Sequence, residues 1–369
     1  MKFSTSKTEL QNALQKLSKA TPTRSTLPIL NSAFIKIENT NAFLKSTDLE
    51  ITIETKIPVS VEEEGSVCIP LKTLLNVTTE LQETRITIES DKNNKIIINT
   101  DYGKYDLMGN PSNEFPENID HTENQKIELD ADIFKHIISA TLFAVSKDEL
   151  KPSLSGVSFD IKGNKIIAVS TDGHRLVKHI QKEIKNTENI SKIIIPRKFL
   201  SFVLGQTNDK TSLSFGKNTL KAVFGSDTIT TRLIDEVFPD YESVIPKENN
   251  NVLKIDKKDL LGAIRRVSIF SNKSTHQVAL NLSPDKCDVT TEDPERASKA
   301  KETIKADYKG ENIQIGYNAE YLKDVVSHVF GDSLIINLGS PVSAALFNSS
   351  EEEENQKNTM LLMPIRLNN

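Results

Sequence analysis

A threefold internal repeat constrains this chain of 369 residues more than any other feature of its sequence. Each copy opens with a short β-like stretch, passes through a polar cap and continues as an amphipathic helical pattern, in segments 3–17, 127–141 and 253–267. Phe3, Ile127 and Leu253 hold corresponding positions, 124 and 126 residues apart. A period of this length predicts three units built alike rather than one large core.

A second landmark recurs near the middle of each unit, where a strand-like run leads into another helical pattern: 67–70 before 71–81, 193–196 before 197–204, and 313–316 before 319–329. Pro70 and Pro196 stand at this junction, which suits a helix start because the N–H that proline lacks would have no helical partner there. A Phe-Pro pair, at Phe115 and Phe238, closes the first two units. Chance similarity of β-α patterns is the alternative, and the matched order of the landmarks disfavours it.

The segments between the landmarks alternate apolar and polar residues, as antiparallel strands do. They are 85–89, 95–99, 211–215, 219–224, 228–233, 333–338 and 342–347. The sequence therefore predicts an α+β fold of three repeated two-helix, antiparallel-sheet domains, with boundaries at 1–120, 126–246 and 251–369.

Basic residues concentrate in the predicted helices. With their first turns and flanking residues, the six helices hold eleven lysine and arginine residues against five acidic residues, a balance of +6 in a chain whose formal charge is −5. Lysine and arginine are good helix formers, so a merely solvated helical face is one interpretation. The segregation of sign favours another, in which one helical surface faces a polyanion and contacts its phosphates without sequence preference.

The stretch 171–176 (TDGHRL) lies between two β-like runs and predicts a hairpin with a tight turn, in which Asp172 and Gly173 adopt positive φ. Arg175 and Leu176 follow this turn and point to opposite faces of the strand. A cation and an aliphatic side chain therefore lie beside the same turn. That pairing suits a surface groove for another chain. An acid/base pair of Asp172 and His174 is disfavoured, because residues on the two sides of a turn glycine rarely reach each other productively.

Several classes of site lack their sequence signals. No apolar run approaches the roughly 20 residues of a membrane span, so we expect a cytoplasmic protein. Cys68 and Cys287 lie in apolar strand-like contexts and are expected to be buried reduced thiols. The sequence has no metal-spaced His or Cys set, no phosphate-cradling glycine loop and no nucleophile elbow. We expect no cofactor and no catalytic activity.

Seven short motifs in this order, together with the repeat, resemble the family of bacterial DNA polymerase III beta subunits, the DNA sliding clamps. The motifs are 1–3 (MKF), 26–30 (TLPIL), 46–50 (STDLE), 171–176 (TDGHRL), 195–198 (IPRK), 238–241 (FPDY) and 363–367 (MPIRL). The resemblance covers essentially the whole chain, and it rests on the combination, since each motif alone is weak.

The resemblance implies a closed ring of two head-to-tail subunits, a homodimer of six domains, with helices around a hole that double-stranded DNA threads. It implies a non-catalytic processivity factor that tethers polymerases to the duplex. The implied partners are the DNA polymerase III catalytic subunit, the clamp-loader complex, other DNA polymerases, and repair and initiation-control proteins. Each would bind through a short linear peptide.

The resemblance also implies three sets of site residues. A hydrophobic peptide-binding groove between the second and third domains would be lined by Leu154, Thr171, Gly173, His174, Arg175, Leu176, Pro239, Val244, Asn318, Tyr321, Val342, Met363, Pro364, Ile365 and Arg366. DNA contacts would come from Arg24, Lys72, Lys147, Lys151, Arg197, Lys198, Lys257 and Lys258. The subunit interface would include Tyr105, Leu107, Ile269 and Phe270.

The expected groove ligand is an extended segment with Leu and Phe anchors and a Gln-type polar residue, to which Arg175 and Arg366 could donate hydrogen bonds. Departures from relatives at Ser243, Thr275 and Ala344, and the extension Asn368-Asn369, bear on its partner preference. Two other functions are weighed against the clamp. One is an enzyme built on His174 with Asp172 or Asp48, and the other is a repeat-built interaction scaffold that does not bind DNA.

Overall fold

The fold is α+β, as the sequence predicts. The structure, a computed structural model, describes residues 1–22, 24–184, 189–206, 210–351 and 354–367. The helices of this part of the chain are α1 (Lys7–Ser18), α2 (Leu71–Glu80), α3 (Ala131–Thr141), α4 (Arg197–Leu204), α5 (Lys257–Ser268) and α6 (Ala319–His328). All six predicted helices are therefore confirmed, to within a few residues at their ends.

The strands of the first half of the chain are β1 (Lys2–Ser6), β2 (Ser32–Glu38), β3 (Asn41–Thr47), β4 (Ile51–Pro58), β5 (Ser60–Glu63), β6 (Gly65–Pro70), β7 (Arg85–Ser90), β8 (Lys95–Thr100), β9 (Gly103–Met108), β10 (Gln125–Asp130), β11 (Gly156–Lys162), β12 (Lys165–Thr171) and β13 (Arg175–Gln181). Those of the second half are β14 (Asn189–Pro196), β15 (Lys210–Phe215), β16 (Thr219–Phe224), β17 (Asp227–Arg232), β18 (Asn251–Asp256), β19 (Gln277–Ser283), β20 (Lys286–Asp293), β21 (Ser298–Lys305), β22 (Asp307–Lys309), β23 (Ile313–Asn318), β24 (Ser333–Leu338), β25 (Ala345–Ser349) and β26 (Gln356–Leu362).

Side-chain caps fix where α1, α5 and α6 begin. Ser6 accepts a hydrogen bond from the backbone N–H of Glu9 at 3.1 Å, and Asp256 accepts one from Asp259 at 2.9 Å. Asn318 likewise accepts from the first turn of α6. Each cap satisfies a backbone donor that a helix start leaves without a partner. The capped helices then bury one apolar face on the sheets, as the periodicity predicts.

Each of the two large sheets is built from two consecutive repeats. The eight-stranded sheet has the order β10-β15-β16-β17-β4-β3-β2-β6, and the nine-stranded sheet has the order β18-β24-β25-β26-β13-β12-β11-β14, with β22 added beyond β18. The two orders correspond strand for strand. The pairs β17–β4 and β26–β13 are the seams where one repeat joins the next. The chain accordingly forms two compact units, residues 1–132 with 201–233 and residues 133–200 with 234–369.

The outer strands form two smaller sheets, in the orders β5-β1-β7-β8-β9 and β21-β20-β19-β23. One predicted strand, 342–347, starts too early, because the observed strand β25 begins at Ala345. Ser340 and Ser343 close a turn just before it, with the Ser343 N–H donating to the Ser340 carbonyl at 3.2 Å.

The charge of the helices differs slightly from the predicted value. With the observed helix bounds, the six helices hold eleven basic and six acidic residues, a balance of +5, because Glu9 lies inside α1.

A buried histidine marks the seam of the nine-stranded sheet. His179 on β13 is fully buried, and its Nδ1 lies 2.7 Å from Oδ1 of Asn358, the residue opposite it on β26. Its Nε2 has no partner among the described residues, and the ring of His136 lies 5.6 Å away. Burial lowers the pKa of His179 to about 4. The native seam therefore contains a neutral imidazole at pH 7.

We expect the second unit to lose stability in mild acid. Between pH 6.5 and about 4 the unfolded chain protonates His179 while the folded chain does not, so the free energy of unfolding falls as the pH falls, by up to about 3 kcal/mol. Urea unfolding at pH 7 and pH 4.5 measures the change. In the variant His179→Gln this part of the pH dependence should vanish. An unchanged pH dependence in that variant would show that other groups control acid stability.

Candidate functional site

The hairpin between β12 and β13 ends in a turn held by side chains. The Thr171 hydroxyl donates to the carbonyl of Arg175 at 2.7 Å and accepts from the Gly173 N–H at 3.1 Å. Asp172 Oδ1 accepts from the N–H groups of His174 and Arg175, at 2.9 and 3.0 Å. Gly173 has φ of +91° but Asp172 does not have positive φ. The prediction of positive φ at both positions is wrong. The last pair of the hairpin, Thr171 with Leu176, encloses four residues rather than two, and Asp172 caps the turn.

The C-terminal segment runs alongside this turn. Met363 donates its N–H to the carbonyl of His174 at 2.8 Å, and Ile365 donates to the carbonyl of Gly316 at 2.8 Å. Gly316 permits this approach, since a Cβ there would lie 2.5 Å from a methyl carbon of Leu367. The hairpin turn, β23 and the chain end therefore meet within the second unit. Asn368 and Asn369 lie outside the described residues.

An apolar floor lies beside the turn. Leu176 packs in one buried cluster with Val169, Ala344 and Leu361, and five partly buried side chains pack against it: Ile167, Phe238, Tyr241, Ile245 and Leu346. Around the floor, apolar side chains stand open to solvent, namely Val244 (54% exposed), Val342 (64%) and Met363 (39%). Exposed apolar residues next to a buried apolar cluster are typical of a docking groove.

The far wall of the site belongs to helix α6. Asn318 caps the helix, and Tyr321 in its first turn stacks on the His174 ring with centroids 5.5 Å apart. Arg175 differs from expectation, because it is buried and three of its five N–H groups already donate within the chain. Arg366, which is exposed, is the arginine with access to a ligand.

The structure brings together most of the groove residues that the resemblance implies. Gly173 and His174 are exposed at the turn, Tyr321, Pro364 and Ile365 are half-buried, and Pro239 is exposed just after Phe238 of the floor. Leu154, half-buried, ends a short 3-10 helix and accepts from Ser146 through its carbonyl. Sequence reasoning missed Leu361, Leu346 and Tyr241. Leu346 and Leu361 lie opposite each other on β25 and β26 and so share one sheet face, but the run of apolar residues that ends β26 does not indicate this locally.

The first unit supplies an internal comparison, because its seam has the same register. Thr52 pairs with Thr230 and Thr230 with Lys221, where the second unit has Leu176 with Leu361 and Leu361 with Leu346. These three residues line a cleft with Glu54, Glu117, Asn118, Ile119, Asp120 and His121. The corresponding place in the first unit is therefore polar and charged. The apolar floor belongs to the second unit.

The basic residues expected to contact DNA lie at helix starts and in loops. Lys72 and Lys198 are exposed in the first turns of α2 and α4, beside half-buried Arg197, and Arg24, Lys147 and Lys151 are exposed in loops. Lys257 is half-buried and donates to the Val329 carbonyl, whereas Lys258 is exposed and pairs with Asp332 at 3.1 Å. Other helix cations are also paired, such as Lys16 with buried Asp227 at 2.7 Å. The helices therefore present less positive charge to solvent than their number of lysine and arginine residues suggests.

The predicted interface residues lie at the outer sheet and at a helix end. Tyr105 and Leu107 are half-buried on β9, the edge strand of the five-stranded sheet. Ile269 and Phe270 follow α5 and are 77% and 46% exposed. Two consecutive large apolar side chains that are exposed at a helix end are unfavourable in water unless another surface covers them.

The structure also describes the two cysteines, the spacing of metal-ligand side chains and the length of the helices. Cys68 and Cys287 are free and buried, as predicted, and burial raises the pKa of both thiols to about 12. Within the described ranges, no three His, Cys, Asp or Glu side chains cluster to hold a metal ion. None of the helices in those ranges has the length and apolar character that crossing a membrane needs.

Comparison with known families accounts for nearly the whole chain. Residues 1–120 match the model of the DNA polymerase III beta subunit N-terminal domain. Residues 128–240 match the model of the central domain, and residues 242–366 match that of the C-terminal domain.

Individual relatives align with this chain over their full lengths. The beta sliding clamp of Haemophilus influenzae is 29% identical and that of Pseudomonas putida 28%, with complete coverage of both chains in each comparison. Among solved structures, a DNA polymerase III subunit beta from Bartonella birtlesii, bound to griselimycin, is 26% identical, covers both chains fully and superposes with a TM-score of 0.93.

Proposed function

This chain belongs to the family of DNA polymerase III beta subunits, the beta sliding clamps, and we propose that it works as a closed ring of two head-to-tail copies around duplex DNA. Its role is that of the DNA sliding clamp of DNA polymerase III, and its fold is the three-domain clamp fold. A clamp acts by holding its partners on DNA. We place the three domains at 1–120, 126–246 and 251–369 and the protein in the cytoplasm.

The ring proposal is supported by two surfaces, one in the first repeat and one in the third. Edge strand β9, with Tyr105 and Leu107, offers unpaired backbone groups and apolar side chains. Ile269 and Phe270 offer an exposed apolar patch. A contact between two different surfaces is head-to-tail, and it closes when the rotation between copies returns to the start. Three domains per chain reach six with two copies.

Duplex DNA would pass through the ring beside the helices. Lys72, Lys198 and Arg24 are exposed and would face phosphates of the duplex. Ion pairs such as that of Lys16 with Asp227 neutralise part of the helical charge. Contacts of this kind carry no sequence information and are screened by salt. A weakly held duplex suits a ring that must slide along it.

The salt dependence of DNA binding tests this arrangement. Arg24, Lys72 and Lys198 changed together to Glu should lower the slope of log K against log salt by about 0.9 for each phosphate that the variant no longer neutralises. Filter binding from 50 to 200 mM salt measures the slope. The matched control changes Lys56, Lys254 and Lys309, exposed on strands, to Glu. Equal slopes in the two triple variants would mean that the helix starts do not meet DNA.

The groove of the second unit is proposed to receive partner proteins. Its apolar floor, where the matching place in the first unit is polar, is the observation that carries this proposal. An extended segment with Leu and Phe anchors would cover the floor, and Met363 can repack around different anchors because its unbranched side chain is flexible. We expect micromolar affinity, about −8 kcal/mol.

The proposed partners share this peptide and compete for the groove. They are the polymerase III catalytic subunit, the clamp loader, other DNA polymerases and repair proteins. The griselimycin-bound Bartonella birtlesii relative supports the view that this fold offers a ligand site. Fluorescence anisotropy with a labelled peptide that carries one Gln, one Leu and one Phe tests the proposal directly.

A further inference from the structure

Arg175 contacts three residues that the implied groove lining does not include: Asp172, Asp324 and Phe143. Its Nε donates to Asp172 Oδ2 at 3.1 Å, one terminal nitrogen donates to Asp324 Oδ2 at 2.6 Å, and the other donates to the carbonyl of Phe143 at 2.8 Å. The guanidinium carbon lies 4.8 Å from the ring centroid of Tyr321 and 5.4 Å from that of Phe143. Its side chain is 8% exposed. Two carboxylates and two rings therefore hold one buried cation.

The hairpin turn does not need this cation. In the first unit the corresponding turn has Thr47, Asp48 and Ile51 in place of Thr171, Asp172 and Arg175. The Thr47 hydroxyl donates to the Ile51 carbonyl at 2.9 Å, and Asp48 Oδ1 accepts from the Ile51 N–H at 2.8 Å. The same backbone forms around an isoleucine, so the arginine and its partners serve another purpose.

The cluster ties the turn to one face of helix α6. Tyr321, Asp324 and His328 are spaced three and four residues apart, so they lie one above another on that face. The His328 ring stacks on Phe143 at 3.8 Å, and its Nδ1–H donates to the Asp324 carbonyl at 2.7 Å. Phe143 lies in the 3-10 helix that follows α3. Three separate segments are joined through the guanidinium of Arg175.

The groove wall rests directly on this cluster. Tyr321 has Arg175 over its ring and also stacks on His174, whose carbonyl accepts the N–H of Met363. We propose that Asp324 and Phe143 are positioning residues, which act through Arg175 to hold the Tyr321–His174 wall at the place where a partner peptide ends. The inference deepens the proposed groove function and rests on it. Neither residue needs to contact the peptide.

The variant Asp324→Asn tests the proposal with little change of shape. It keeps the size of the side chain but removes the charge that faces the buried guanidinium, so the wall should loosen and the dissociation constant of the Gln, Leu and Phe peptide should rise about tenfold. Asp324→Glu restores the charge and should recover most of the affinity. The matched control is Glu320→Gln on the same helix, which removes the exposed pair with Lys323 and should bind like the wild type.

A double-mutant cycle separates positioning from a general loss of structure. The peptide is shortened by one residue from either end, and each version is measured against wild type and Asp324→Asn. Positioning predicts that the tenfold effect disappears for the peptide that lacks the end residue at the wall, and for no other shortened peptide. A uniform loss with every peptide, or no loss with the full peptide, would overturn the inference. Failure of the wild type to bind any version would instead overturn the proposed groove.

Discussion

Deletion of residues 363–369 should raise the dissociation constant of the partner peptide from micromolar by at least about a hundredfold, a loss of roughly 2.7 kcal/mol. The deletion removes the wall made by Met363, Pro364 and Ile365, and it removes the hydrogen bond from the Met363 N–H to the His174 carbonyl. It leaves the buried floor of Leu176 and Leu361 in place. Fluorescence anisotropy with the Gln, Leu and Phe peptide measures the effect.

Two checks keep this result interpretable. The truncated protein should sediment like the wild type, since the proposed subunit contacts lie elsewhere. A second variant, Leu176→Thr with Leu361→Thr, gives the floor the residues of the first unit and should also lose most of the affinity. Its reverse, Thr52→Leu with Thr230→Leu, should leave peptide binding unchanged. Tight binding by the truncated dimer would place the groove elsewhere.

Changing Ile269 and Phe270 together to alanine should convert the protein into monomers. Each side chain contributes roughly 1.5–3 kcal/mol when buried, and a ring contains both at each of two interfaces, so the change costs roughly 6–12 kcal/mol. Sedimentation velocity should give the chain mass of 41.2 kDa rather than twice that value.

The monomer should keep its peptide affinity, because every residue of the groove belongs to one compact unit of one chain. It should lose all retention on circular DNA. Phe43→Ala, another exposed aromatic that lies on β3, serves as the control and should remain dimeric. A persistent dimer after the double change would place the interface elsewhere.

The sequence predicted the helices and the repeat because both depend on local periodicity. Three matched β-α patterns, each with a polar stretch before its helix, are enough to place helix starts, and Ser6 and Asp256 cap two of these helices in the structure. Periodicity carries no information on which strands of one repeat pair with which strands of the next. The β17–β4 and β26–β13 seams, which divide the middle repeat between two sheets, emerged only in the structure.

The candidate site was predictable in part for the same reason. The hairpin at 171–176 is a local signal, so its residues were found, but the surroundings of Arg175 depend on long-range contacts with Phe143 and Asp324. Those contacts join residues 32 and 149 positions away and leave no mark in local patterns. An arginine next to an exposed turn is expected from the sequence to be accessible, and in the fold it is buried.

Retention on closed DNA tests the central claim, that this chain encircles duplex DNA as a sliding clamp. The protein is loaded onto a nicked circular plasmid with its clamp loader, separated from free protein by gel filtration, and followed after a restriction enzyme linearises the DNA. The ring predicts that the protein stays on the circle and leaves the linear form by sliding off its ends. Equal retention on circular and linear DNA, or equal loss from both, would contradict it.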